Sequence, residues 1–156
     1  MEKEFFTFRE YMKKDDDLLT ASMEDYLEMI YRLSLNTGFT RIHDLAAALN
    51  VQPPSATRMV QKLADIGTVN YEKYGIITLS EKGRKMGEAL LERHRIIEDF
   101  LRLLGITESL LEETEKIEHT IGSKTLERFA QFVEFFKDRP NLISDFDNFR
   151  KSKGKR

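Results

Sequence analysis

Two short apolar repeats joined by a tight turn constrain the fold of this chain more than any other feature. Apolar residues recur at i, i+3, i+4 and i+7 in the first repeat, at Ile42, Leu45, Ala46 and Leu49. In the second repeat, which Pro54 opens, they are Ala56, Met59, Val60 and Leu63. These spacings predict two amphipathic helices, and residues 50–53 between them read as a short turn. The second helix leaves a set of polar side chains outside its apolar stripe: Ser55, Thr57, Arg58, Gln61 and Lys62.

A predicted β-hairpin follows this helix pair. Residues 69–72 and 76–79 read as two strands around the turn Lys73-Tyr74-Gly75. A helix pair with a polar second helix and a following hairpin is typical of a winged helix-turn-helix domain that binds DNA. Any three-helix domain can show the helical part of this pattern, so the polar face and the hairpin carry the preference for DNA binding.

The predicted DNA contacts fall into two groups. Ser55, Thr57, Arg58, Gln61 and Lys62 would reach the groove and the phosphates, and Lys73 and Tyr74 on the wing would meet the backbone. Arginine and lysine suit phosphate or guanine, whereas glutamine can read adenine. His43, near the start of the first of these helices, reads as a surface residue.

Helices are predicted on both sides of this module, so the fold class is mainly α. The first begins near Ser22, a possible N-cap with Asp25 three residues on, and its segment ends at Gly38. A long helix over 81–104 is capped by Ser80, and Thr107 caps the next one. The last helix starts near Ser123. It carries four phenylalanines in eight residues, which fit a core seam or a dimer interface: Phe129, Phe132, Phe135 and Phe136.

These elements give an expected domain plan. Residues 1–20 form an N-terminal extension, 21–80 the winged helix-turn-helix domain, 81–140 a helical domain for metal binding and dimerisation, and 141–156 a C-terminal tail with a loose basic end.

The amino-acid composition limits the kinds of metal site, DNA contact and cellular location that this chain can have. The 156 residues include no cysteine, which excludes disulfides and thiolate metal sites. The net charge is −2, so any affinity for DNA must come from a local basic patch. No apolar run approaches the length of a membrane span, and the N-terminus is too acidic for a signal peptide. We therefore expect a soluble, cytoplasmic protein.

Potential metal ligands lie on both sides of the predicted DNA-binding module. Glu115, Glu118 and His119 are spaced i, i+3 and i+4, so they share one helix face. On composition alone such a run is more often a solvated charged face. A lone histidine on an apolar stripe, such as His94, is more often a core residue. Asp25 and Glu28 form a further pair on the first helix, and the combination suggests a regulator that a metal switches.

Several segments in order resemble the diphtheria-toxin-repressor family of metal-dependent regulators, most closely its manganese transport regulator branch. The resemblance covers residues 19–136. Its motifs are SMEDYLE (22–28), SATRMVQKL (55–63), YEKY (71–74), ERH (92–94) and IEH (117–119).

The resemblance implies a paired metal site on six residues: Asp25, Glu28, His94, Glu115, Glu118 and His119. One site would use Asp25, Glu28 and His94 together with Glu115 and Glu118, and the second would add His119 and share the last two glutamates as bridges. The iron-responsive branch has methionine and cysteine where this chain has Asp25 and Glu115. Carboxylate and imidazole ligands without sulfur suit Mn²⁺. Two Mn²⁺ per chain are expected, although Fe²⁺, Co²⁺, Ni²⁺, Zn²⁺ or Cd²⁺ could occupy the same sites.

The resemblance also implies a homodimer that represses Mn²⁺ uptake genes from a palindromic double-stranded operator, without membrane or small-molecule substrate. Metal is expected to fix the angle between the two domains and thereby the spacing of the recognition helices. The iron branch often adds an SH3-like domain, which we do not expect here.

Three alternatives remain. A helical metalloenzyme would use Glu-x-x-His pairs, but Leu91 and Lys116 stand three residues before His94 and His119. No HExxH, phosphate loop or nucleophile is apparent either, so we predict no enzyme. The others are an iron-responsive repressor of the same family and a winged-helix regulator that senses a non-metal signal.

Overall fold

The computed structural model describes residues 19–154, which form two compact units divided between Leu91 and Glu92. The N-terminal extension expected at 1–20 lies almost entirely outside the described residues, as do the last two residues of the expected tail. Within residues 19–154 the structure is mainly helical, with one small sheet. The described helices include none with the length and apolar character needed to cross a membrane.

The first unit has the predicted winged helix-turn-helix order. Its elements are α1 (Ala21–Ser34), β1 (Thr40–Arg41), α2 (Ile42–Leu49), α3 (Pro53–Asp65), β2 (Val69–Tyr71), a 3₁₀ turn (Lys73–Gly75), β3 (Ile76–Leu79) and the first half of α4 (Glu81–Leu103). The strands form an antiparallel sheet in the order β1-β3-β2. The two residues of β1 were not predicted, because so short a strand has no periodic signal.

The start of α1 differs from the prediction. The N-cap is Thr20, whose extended backbone lets its hydroxyl oxygen accept from the Met23 amide at 3.2 Å. Ser22 lies inside the first turn. Thr20 and Ser22 both have a hydroxyl group that could cap the helix. Asp25, three residues after Ser22, led the prediction to favour Ser22. Ser80 does cap α4, because its hydroxyl accepts from the Gly83 amide at 3.0 Å.

The core of the first unit joins all of its helices to the sheet. The completely buried side chains include Leu27 and Ile30 of α1, Leu45 of α2, Leu63 of α3 and Ile77 of β3. Burying a side chain of this size contributes roughly 1.5–3 kcal/mol. The predicted apolar stripes of α2 and α3 therefore do face the interior, which leaves their polar faces outward.

The second unit contains the rest of α4, then α5 (Leu110–Glu118), α6 (Ser123–Lys137) and α7 (Pro140–Lys153). The predicted Thr107 cap is wrong, because α5 begins after Ser109, which has a left-handed backbone. The loose basic end expected from residue 150 is wrong as far as Lys153, because α7 extends to that residue. Leu142, Phe146 and Phe149 of α7 do stand at the helical spacing i, i+4 and i+7, but the many charged residues around them favoured a tail.

Candidate metal centre and nucleic-acid interface

A buried histidine–carboxylate pair forms the centre of the candidate metal site in the second unit. His94 on α4 and Glu118 on α5 are both buried, and His94 Nδ1 lies 3.0 Å from Glu118 Oε2. The two residues are 24 positions apart in the chain. A buried carboxylate requires a partner, and His94 is that partner for Glu118. His94 lies on the apolar stripe of α4, but it is not a core residue surrounded by hydrocarbon alone.

His119 joins this pair from the end of α5. It is the C-cap residue of that helix, and its Nε2 lies 3.5 Å from Glu118 Oε1. The two oxygens of one carboxylate therefore face two different imidazoles. The predicted spacing of Glu118 and His119 thus places both at the same site, together with His94.

Glu98 is a residue of this site that the sequence analysis missed. It lies one turn after His94 on α4, and its Oε2 is 3.1 Å from His94 Nε2. The other oxygen of Glu98 accepts from Arg102. Because both ring nitrogens of His94 face carboxylates, its ring is held on two sides. The i, i+4 spacing from His94 could have revealed Glu98.

Glu115 lies apart from this cluster. It is exposed on α5, and among residues 19–154 it belongs to no group of three potential ligands that lie close to one another. The next residue, Lys116, is exposed as well and pairs with Glu112 at 2.9 Å and Glu113 at 3.3 Å. Hydrogen bonds to these two carboxylates raise the pKa of Lys116, and Lys116 lowers the pKa of Glu112. The Lys116 side of α5 is therefore a solvated, charge-paired surface.

Asp25 and Glu28 lie on adjacent turns of α1 in the first unit. Asp25 is exposed, and Glu28 is partly buried and pairs with Arg32 at 2.8 Å. Both are outside the buried stripe formed by Met23, Tyr26, Leu27 and Ile30, as the sequence predicted.

The chemistry of these side chains fits a divalent metal. The set has two imidazoles and several carboxylates, and the chain has no thiol. Nitrogen and oxygen donors of this kind suit Mn²⁺ and other first-row divalent ions, and the absence of sulfur removes the strongest preference for softer metals.

The predicted DNA-contact residues of α3 share the outer face of that helix. Arg58, Gln61 and Lys62 are exposed and stand at i, i+3 and i+4, so they form one surface. Ser55 and Thr57 are partly buried, and the Thr57 hydroxyl donates to the Pro53 carbonyl oxygen at 3.1 Å. His43 is exposed, which confirms its interpretation as a surface residue.

The wing presents Tyr74 at its tip. This residue has a left-handed backbone, with φ 71°, and its side chain is 90% exposed. A left-handed backbone costs a residue with a Cβ roughly 1–2 kcal/mol, so the turn holds an aromatic ring in solvent at a cost in stability. Lys73 beside it is also exposed.

Comparison with known proteins gives matches along most of the chain. Residues 18–77 match the model "Iron dependent repressor, N-terminal DNA binding domain", and residues 80–145 match "Iron dependent repressor, metal binding and dimerisation domain". The chain is 41% identical over 129 residues to the HTH-type transcriptional regulator MntR of Lysinibacillus sphaericus, which covers 82% of this chain and 93% of the relative. It is 42% identical over 135 residues to MntR of Bacillus velezensis, which covers 86% and 95%.

A solved structure shows the same fold. The manganese regulator SloR is 33% identical and superposes with a TM-score of 0.65, over 75% of this chain and 55% of that chain. This chain therefore spans only about half the length of that structure. The match to the DNA-binding model lies in the first unit, and most of the match to the metal-binding and dimerisation model lies in the second unit.

Proposed function

The chain belongs to the iron-dependent repressor family and is a manganese-dependent transcriptional regulator, and we propose that it represses Mn²⁺ uptake genes when metal is bound. Membership of this repressor family makes it a DNA-binding regulator and not an enzyme. We further propose that it acts in the cytoplasm, where its DNA target would lie.

The observation that carries the proposal is the cluster of the buried His94 and Glu118 with the partly buried His119. One carboxylate faces two imidazoles, at 3.0 Å and 3.5 Å, in a chain whose first unit has a DNA-binding fold. A buried carboxylate needs a polar partner, and Glu118 has an imidazole beside each of its two oxygens.

We propose that six residues hold two Mn²⁺ ions per chain: Asp25, Glu28, His94, Glu115, Glu118 and His119. For Glu115 the support is its spacing from Glu118 and its place in the ligand set that the resemblance implies, since its side chain is exposed and apart from the cluster of His94, Glu118 and His119. The four carboxylates of this set repel one another without metal. Mn²⁺ supplies the positive charge that offsets this repulsion when it is bound.

The DNA target proposed for the regulator is a palindromic operator. Two copies of the chain would each place α3 in a major groove, with half-sites one helical turn or a multiple of it apart. Arg58, Gln61 and Lys62 would contact bases and phosphates, helped by Ser55 and Thr57, and the wing residues Lys73 and Tyr74 would meet the backbone. Because metal raises the affinity for DNA, DNA must raise the affinity for metal by the same factor.

We propose that the homodimer forms through the phenylalanine-rich surface of α6 and α7. The four phenylalanines of α6, predicted as a core seam or a dimer interface, differ in exposure. Phe129 stacks on Phe100 at a ring distance of 4.0 Å inside the second unit, whereas Phe132 and Phe135 are 42% and 47% exposed. Phe146 and Phe149 of α7 are exposed as well, and phenylalanine is enriched at protein interfaces.

The test begins with selection of duplexes from a random library by the full chain in Mn²⁺. The selected duplex is then bound by the metal-free chain, the Mn²⁺-loaded chain and the His119→Ala variant. We expect tight binding only by the Mn²⁺-loaded chain. Equal binding by all three would overturn metal control and favour a non-metal signal, and stronger activation by anaerobic Fe²⁺ would overturn the choice of metal. A Glu88→Gln variant, altered on the exposed side of α4, is the control and should behave as the unsubstituted chain.

A further inference from the structure

Arg93 is a buried cation in direct contact with a proposed metal ligand. It precedes His94 on α4 and is 2% exposed, and its Nη2 atom lies 3.4 Å from Nδ1 of His119. The proposed ligand set does not include Arg93. A guanidinium keeps its charge under all ordinary conditions, so a fixed positive charge lies against His119.

The contact is a hydrogen bond in only one form of the imidazole. Arginine can only donate hydrogen bonds, so Nδ1 of His119 must accept and carries no proton. The neutral ring then has its proton on Nε2, and that nitrogen faces Glu118 Oε1 at 3.5 Å. Arg93 therefore selects one tautomer of His119 and occupies the free lone pair of the ring.

A metal bound through either nitrogen of His119 is incompatible with this contact. If the metal takes Nδ1, it needs the lone pair to which Arg93 donates. If it takes Nε2, the neutral ring must carry its proton on Nδ1, where that N–H would meet the N–H donor of Arg93. In both cases the guanidinium must move away from His119.

We propose that Arg93 competes with the metal for His119: its guanidinium holds the ring in the metal-free protein and must be displaced when a divalent cation binds. This inference rests on the proposed function, because it requires His119 to be a ligand. The competition lowers the apparent metal affinity, since part of the binding free energy is spent on breaking the contact. It would keep the regulator metal-free until the metal concentration is high.

The test compares two arginine variants in a Mn²⁺ titration of the full chain, with free Mn²⁺ followed by EPR. Arg93→Met removes the cation and keeps most of the side-chain volume. We expect it to bind Mn²⁺ about tenfold more tightly, the value of one charge-assisted hydrogen bond. Arg95→Met is the matched control, because Arg95 is exposed on the other side of His94 in the sequence and carries the same charge. It should change the affinity by less than about twofold.

A second measurement does not depend on a folded variant. Long-range ¹H–¹⁵N spectra of the unsubstituted, metal-free chain should show His119 with its proton on Nε2 and an unprotonated Nδ1. Addition of Zn²⁺, a diamagnetic probe, should shift the Arg93 guanidinium resonance.

Unchanged or weaker Mn²⁺ binding by a folded Arg93→Met variant would overturn the competition and leave the proposed function intact. A proton on Nδ1 in the metal-free spectrum would do the same. Failure of the unsubstituted chain itself to bind Mn²⁺ would overturn the proposed function and this inference together.

Discussion

Glu98 illustrates how a single side chain can orient a proposed metal ligand, His94. Its Oε2 atom lies 3.1 Å from Nε2 of His94 and keeps Nδ1 directed at Glu118. We predict that Glu98→Gln weakens Mn²⁺ binding roughly 10- to 100-fold, as loss of an orienting partner does at other metal sites. EPR titration would measure it. Glu88→Gln, altered on the same helix beside Arg84, should bind like the unsubstituted chain, and equal binding by Glu98→Gln would remove this role.

Tyr74 is a residue whose position costs stability. We predict that Tyr74→Gly raises the free energy of unfolding by up to about 1 kcal/mol, because glycine adopts a left-handed backbone without steric cost. The same change should weaken DNA binding by removing the ring at the tip of the wing. Urea unfolding and fluorescence anisotropy with a selected duplex would measure the two effects.

Tyr74→Phe is the matched control, because it removes only the hydroxyl. Its stability should equal that of the unsubstituted chain. If Tyr74→Gly left DNA affinity unaltered, the exposed ring would have no part in DNA binding.

At the scale of the elements, two glycines set the packing of α4 in the first unit. A Cβ on Gly87 would lie 2.6 Å from Cβ of Tyr31 on α1, and a Cβ on Gly83 would lie 1.8 Å from the Thr68 carbonyl oxygen. We predict that Gly87→Ala lowers the free energy of unfolding by about 1–3 kcal/mol, the usual cost of overpacking. Urea unfolding would test it against Gly122→Ala, whose added Cβ meets nothing within 4 Å. A larger loss in the control would contradict this packing account.

The elements also show what the sequence could predict. Apolar residues at helical spacing predicted α2 and α3 correctly, because a periodic stripe records which side is buried. Apolar periodicity could not predict the cap of α1 at Thr20 or the two-residue strand β1, because both depend on particular contacts and not on a repeating pattern. α7 was missed although Leu142, Phe146 and Phe149 stand at i, i+4 and i+7, because the charged residues around them were interpreted as a tail.

The candidate site was predictable to a similar degree. The spacing of Glu118 and His119 placed both on the right helix end, and the family motif connected them with His94, 24 residues before Glu118. The motif at 92–94 contains Arg93 and the i, i+4 spacing from His94 reaches Glu98, but neither pattern indicates what these two side chains contact. Their roles depend on which neighbours α4 and α5 bring within 3.5 Å, and only the packed structure supplies that.

At the scale of the whole molecule, the proposed dimer interface contains Phe135 and should not tolerate a charged side chain at that position. We predict that Phe135→Asp shifts the chain to a monomer in sedimentation equilibrium, because the apolar ring is lost and the carboxylate that replaces it would have to give up its water in the interface. The monomer should also bind the selected duplex more weakly, having lost its second half-site. Glu134→Gln, on the neighbouring exposed position, should remain a dimer. A dimeric Phe135→Asp variant would place the interface elsewhere.

The central claim is that this regulator responds to manganese, and its most direct test is a Mn²⁺ titration of the full, chelator-stripped chain with free Mn²⁺ followed by EPR. We predict about two ions bound per chain and a sharp loss of binding in Glu118→Ala, since that carboxylate faces both imidazoles of the site. No binding up to roughly millimolar Mn²⁺ would contradict the account.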